Sequence, residues 1–117
     1  MSTLNVANIS DGTDTVETGY VVNGSAKAHA YISLTFVVQS GSLNISNEID
    51  NGAGNLSVDL TAAMANATYT VQANSANSLT MAVSYPVSES QYSMRMFNTS
   101  GTYSDRATMS SIHGDLA

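Results

Sequence analysis

From residue 26 onward, apolar and polar side chains alternate along most of the chain. In Ala26–Gln39, residues Ala28, Ala30, Ile32, Leu34, Phe36 and Val38 fall on one side, and His29, Tyr31, Ser33 and Thr35 on the other. A period of two is that of a half-buried strand, so the pattern predicts a single strand over 26–39. Two alternating runs follow, Leu43–Asn47 leading into Ile49, and Leu56–Leu60, separated by Asp50-Asn51-Gly52-Ala53-Gly54-Asn55. Asn and Gly tolerate the positive φ of tight turns, so this cluster predicts a hairpin. Residues 61–67 would make a helix too short to be stable alone and are read as a connection. Alternation resumes over 69–73, 79–85, 92–97 and 107–112, with Pro86 expected to end the second of these runs. About seven short strands separated by turn residues predict an all-β fold, an antiparallel β-sandwich spanning 26–117.

Before residue 26 the pattern is absent. Short apolar pairs are interrupted by Asp11-Gly12 and Asn23-Gly24 turn signals, and no face is continuous. Residues 1–25 are therefore expected to form an extended N-terminal arm, ordered against a partner or a neighbouring subunit, with Leu4, Val6 and Ile9 as its apolar anchors.

Composition changes this picture in one respect. Many inward positions are Ala, Ser or Thr, so the core of one copy is thin, while large residues such as Tyr31, Val37 and Phe97 fall on outward faces. With few Lys to blunt strand edges, association is the expected remedy, and His29, Tyr31 and Phe97 are the candidate interface residues.

Charge narrows the range of functions. The 117-residue chain carries three Lys and Arg against nine Asp and Glu, a net charge of -6. Clustered cations that neutralise phosphates are thus excluded, and with them nucleic-acid binding and attraction to anionic membranes. No apolar run is long enough to span a bilayer, and Met1-Ser2-Thr3-Leu4-Asn5 shows neither part of a secretory signal, so cytoplasmic synthesis without membrane insertion is expected. The absence of Cys removes disulfides and thiolate chemistry.

Candidate catalytic groups are sparse. The two histidines have no Gly-x-Ser-x-Gly elbow to serve. His29 reads as a mid-strand interface residue and His113 as part of a terminal turn, the sharper alternative being stacked rings about a three-fold axis. Asp11-Gly12-Thr13-Asp14 lacks the remaining ligands of an EF-hand and reads as a solvated turn, and no pair of carboxylates is singled out for glycoside cleavage. The six Met read as fillers of an irregular core. A non-enzymatic protein without cofactor or metal is expected. Tyr85, Tyr92 and Tyr103, near strand ends and among Ser90, Gln91, Asn98 and Thr99, are the candidate receptor contacts, because an aromatic face with nearby amides and hydroxyls suits a sugar ring.

Five short motifs in order carry a resemblance that covers nearly the whole chain. They are Asn23-Gly24-Ser25-Ala26-Lys27-Ala28, Asp50-Asn51-Gly52-Ala53-Gly54-Asn55, Val58-Asp59-Leu60, Ala63-Met64 and Ile112-His113-Gly114-Asp115, preceded by Asn5–Thr13. In these the sequence resembles virion structural proteins of tailed phages that infect marine bacteria and cyanobacteria. It departs from them at His29, where the family usually has Trp. The resemblance implies a trimeric fibre- or knob-like β domain at the virion surface, involved in host attachment. It would contact other virion proteins of the tail or capsid through the arm, and a host surface glycan through its distal loops. The alternative is a capsid decoration protein that bridges lattice subunits.

Overall fold

The computed structural model describes residues 2–117. Seven strands build the part after residue 25: β3 (Ala26–Ile32), β4 (Ile45–Asp50), β5 (Asn55–Leu60), β6 (Thr70–Ser75), β7 (Thr80–Ser88), β8 (Gln91–Asn98) and β9 (Thr108–His113). They pair antiparallel in two sheets, one of three strands in the order β3-β9-β6 and one of four in the order β4-β5-β8-β7. The protein is all-β apart from one short helix, as the alternation predicts.

Both sheets contribute to one core. Ala28, Ala30, Ile32 and Ile112 from the first and Leu56, Val58, Leu60, Tyr92, Met94 and Met96 from the second are buried together with Phe36, Met64 and Tyr69. The alternating burial of β5, where Leu56, Val58 and Leu60 point inward and the residues between them stay half-exposed, is the period of two made visible. Two tyrosines bolt the layers. The Tyr92 hydroxyl on β8 lies 2.8 Å from the Ser110 hydroxyl on β9, and the Tyr69 hydroxyl reaches the carbonyls of Ser88 at 2.8 Å and Gln91 at 2.6 Å.

The first strand is shorter than its pattern. After Ile32 the chain turns back, with Ser33 N–H donating to the Val37 carbonyl, so that Val38 bridges to Ile32. Phe36 sits at φ 56°, a left-handed conformation costing about 1–2 kcal/mol for a side chain. Burial of its ring, worth about 1.5–3 kcal/mol, offsets that cost. Leu34, inward in the simple alternation, is exposed on the turn. Pro86 does not end its run either: it lies within β7, the edge strand of its sheet, where a missing N–H is tolerated, and the register shifts between Pro86 and Ser88. The other edge of that sheet, β4, carries Glu48 and Asp50 opposite Val58 and Leu56. Charges in the inward phase of an edge strand discourage further pairing.

The hairpin turn expected at 51–54 is present, and Gly54 explains its sequence. At φ +62°, a Cβ there would lie 2.3 Å from the Met96 carbonyl oxygen and 2.8 Å from the Ser104 nitrogen. Only glycine permits this approach, which also lets Gly54 N–H donate to Asp105 Oδ1 at 2.7 Å. The 61–67 segment is a non-helical connection, pinned by Met64 N–H to the Glu89 carbonyl. His113 ends β9, paired with Ala26 and Thr70, rather than occupying a free terminal turn.

Residues 2–24 differ from the fully extended arm. They contain a hairpin of β1 (Asn8–Ser10) and β2 (Thr15–Glu17), followed by α1 (Thr18–Gly24), and no residue of these elements is buried. The hairpin turn is the Asp11–Asp14 stretch, where Asp11 Oδ1 accepts from the N–H groups of Asp14 at 2.8 Å and Thr13 at 2.9 Å. These two bonds hold the Asp11 carboxyl below the usual carboxylate range. Lys27 Nζ donates to the carbonyls of Val22 and Ser25, satisfying acceptors at the end of α1. The radius of gyration, 16.4 Å, exceeds the roughly 13 Å of a compact chain of this length.

Candidate functional site

Every second residue of β8 points away from the core. These outward positions are Ser93, Arg95 and Phe97, while Tyr92, Met94 and Met96 point inward and are buried. Across the ladder, Arg95 stands opposite Asn55 on β5 and Val83 on β7, and Phe97 opposite Met81. Phe97 also bridges to Tyr103, whose ring meets it edge-on at 6.1 Å between centroids. The Arg95 guanidinium lies over the Tyr85 ring, 5.8 Å from its centroid, a cation–π contact that fixes the direction of a long side chain.

Tyr85, Arg95, Phe97 and Tyr103 thus form a continuous aromatic and cationic strip on the outer face of the four-stranded sheet. At one end the strip borders a cleft of about 180 Å³ lined by Asn51, Gly52, Ala53, Asn55, Arg95 and Tyr103. The turn that Gly54 permits places Asn51 and Asn55 there. Next to the strip, β7 presents Met81, Val83, Tyr85 and Val87 in a row, all exposed.

The tyrosines expected to contact a receptor separate. Tyr103, 51% exposed, and Tyr85, 37% exposed, lie on the strip, whereas Tyr92 is fully buried. Tyr92 occupies the inward phase of β8, and burial raises the pKa of its hydroxyl against the opposing effect of the Ser110 hydrogen bond. It is a core residue and cannot touch a receptor. Two of the amides expected near these tyrosines are committed inside the chain: Asn98 Oδ1 accepts from Ser100 and Thr102 N–H, and Gln91 Nε2 donates to Asp59 Oδ1 at 2.7 Å. Asn55 and Arg95 take their place, beside Asn51, whose Nδ2 donates to Ser57 Oγ at 2.8 Å. Sequence reasoning missed them, although Arg95 shares the outward phase of Phe97 and was findable on that ground.

The three residues expected at a subunit interface also divide. His29 and Tyr31 lie on the outer face of the three-stranded sheet, in register with Ser111 and Met109. With Leu43, which bridges to His29, they make a second exposed apolar area, while Phe97 belongs to the other sheet. Of the six Met, Met64, Met94 and Met96 fill the core, but Met81 and Met109 are exposed. The arm anchors Leu4, Val6 and Ile9 are all exposed. A larger hollow of about 510 Å³, lined by Glu17 at the end of β2 and by Gly19, Tyr20, Asn23 and Gly24, is an open groove along α1, formed without any residue of the three- and four-stranded sheets.

Among the described residues no group of three or more His, Asp or Glu could hold a metal ion, and no helix is long and apolar enough to cross a membrane. No family model matches the chain, and no curated protein or solved structure is significantly similar to it.

Proposed function

We propose that this chain is a non-enzymatic structural protein of a tailed-phage particle, a homotrimeric, fibre- or knob-like β-sandwich at the virion surface that takes part in host attachment. Residues 1–25 are its attachment arm toward other virion proteins, and residues 26–117 the β-sandwich that is presented outward. The observation that carries this reading is the distribution of apolar side chains: exposed large hydrophobics outnumber the buried hydrophobic residues of the core. A chain with so much uncovered apolar surface gains stability by association, and the exposed side chains of the arm, from Leu4 through Ile9 to Tyr20 and Val22, give it a surface to be gripped. The motif resemblance supplies the biological setting, and the strip bearing Tyr85 and Tyr103 the surface that faces a receptor.

The test is sedimentation of the purified protein with imaging of particles labelled on this chain. The expected result is a trimer at micromolar concentration and label on the tail. A stable folded monomer would overturn the assembly, and label distributed over the head shell would assign the chain to capsid decoration.

A further inference from the structure

The chain has three cations, and they are not equivalent. Lys27 spends its ammonium on the carbonyls at the end of α1, and Arg106 donates to the Asp105 carbonyl while its Nε is shut off from solvent. Among the described residues Arg95 alone of these is exposed on a sheet face, and it is the one that lines the Asn51–Tyr103 cleft. A guanidinium braced on an aromatic ring keeps its fork of N–H donors in a fixed plane, the geometry that pairs with a carboxylate through two parallel hydrogen bonds.

The neighbours of Arg95 extend this pairing into a recognition surface. Asn55 is directly opposite, at cross-strand distance of about 5 Å, and its amide offers both donors and an acceptor to hydroxyl groups. Tyr103 closes the cleft with a half-exposed ring, which suits the C–H face of a pyranose. The volume of about 180 Å³ has the scale of a single sugar ring rather than a folded peptide segment.

We propose that this cleft binds a carboxylated sugar, a uronic acid unit of an acidic polysaccharide, with Arg95 on the carboxylate, Asn55 on the hydroxyls and Tyr103 against the ring. That the sugar belongs to a host surface rests on the attachment role proposed above, whereas its class follows from the side chains of the cleft. The net charge of -6 works against polyanions at long range, so any gain from a carboxylate must arise locally at Arg95.

The experiment is NMR titration of the intact protein with oligogalacturonate, with a neutral oligoglucoside of equal length, and with inorganic phosphate. Galacturonate is expected to shift the resonances of Arg95, Asn55 and Tyr103, with the neutral sugar at least about tenfold weaker. Arg95→Gln should weaken galacturonate binding by about tenfold or more with an unchanged melting temperature, and Tyr103→Ala should weaken both sugars. Equal binding of the neutral sugar, an Arg95→Gln variant that binds like the parent, or an equal response to phosphate alone would overturn the proposal. So would no response at millimolar galacturonate. If the protein adsorbs to host cells without binding galacturonate, the cleft assignment fails and the attachment role stands. If it binds galacturonate through Arg95 but adsorbs to no cell, the reverse holds.

Discussion

Replacing Tyr92 with Phe removes one hydroxyl from the centre of the molecule and leaves the ring in place. Because the ring stays buried, the apolar contribution to stability is retained, and the change isolates the 2.8 Å contact with Ser110. Two costs add: the net value of the hydrogen bond, about 1 kcal/mol, and the desolvated Ser110 hydroxyl left without its partner, at least about 1 kcal/mol more. The sum is about 2 kcal/mol. A chain of this length unfolds with an entropy of about 0.25 kcal/mol/K, so Tyr92→Phe should lower the melting temperature by about 8 °C at fixed protein concentration. Ser110→Ala should cost a similar amount by orphaning the tyrosine hydroxyl. The double variant should cost only about 1 kcal/mol, about 3 kcal/mol less than the sum of the singles, since the bond is then lost once and neither group remains unpaired. Urea unfolding at matched concentration, with unchanged m values, is the assay. Strictly additive effects, or a Tyr92→Phe variant within about 0.5 kcal/mol of the parent, would refute the inter-sheet bolt.

Gly54→Ala should destabilise by about 2–4 kcal/mol, because its Cβ would lie 2.3 Å from the Met96 carbonyl; a melting temperature within 2 °C (about 0.5 kcal/mol) of the parent would show that the turn yields. Phe36→Ala should cost about 3–5 kcal/mol in urea unfolding, since the left-handed turn remains while the buried ring that offsets it is gone. Alkaline pH acts through Tyr69, whose hydroxyl burial pushes up to about 12, with the neighbouring Tyr92 as a smaller cause. Below pH 10 both states keep the proton and nothing changes. Above it the unfolded chain ionises first, so Tyr69 should lower stability by about 1–2 kcal/mol between pH 10 and 12, and Tyr69→Phe should reduce that slope to the part that the raised Tyr92 hydroxyl contributes.

Strand existence was legible in the sequence because the side chains obey a two-residue period. The phase of β5 and of β8 follows directly from Leu56-Ser57-Val58 and from Met94-Arg95-Met96. Strand ends were less legible. Alternation continues unbroken through Ser33–Val38, yet the chain reverses there, and nothing local marks Phe36 as the residue to take a positive φ. Pro86 misleads in the opposite sense, since its effect depends on whether its strand is an edge, and sheet order is a tertiary fact. The site was half legible for the same reason. Phase alone removes Tyr92 from the surface, being even with Met94 and Met96, and keeps Phe97 with Arg95. Bringing Asn51 and Asn55 to Arg95 requires the pairing of β5 with β8 and the approach of Gly54 to Met96, which link residues some forty positions apart. The helix α1 follows from no strong propensity, being built of Thr, Gly, Tyr, Val and Asn, and it ends where Lys27 reaches the Val22 carbonyl.

The two exposed apolar faces make different demands on the trimer proposed above. If copies associated through the four-stranded sheet, Tyr85 and Arg95 would be covered and the cleft beside them narrowed. Association through the three-stranded sheet covers Tyr31, Met109 and Leu43 and leaves the cleft open. Met109 is central to that second face: it lies on the middle strand β9, between Tyr31 on β3 and Asn74 on β6, and is 44% exposed. Lysine at this position is harmless in a solvated sheet but, once covered without a partner charge, carries a desolvation penalty of several kcal/mol in each copy. Met109→Lys should therefore shift the protein toward a folded monomer in sedimentation, with unchanged β-sheet circular dichroism. Val83→Lys, at a position 48% exposed on β7, should leave the proposed trimer intact. The opposite pattern, with Val83→Lys dissociating and Met109→Lys associating normally, would place the interface over the Arg95 strip, and a ligand in the cleft would then have to compete with assembly itself.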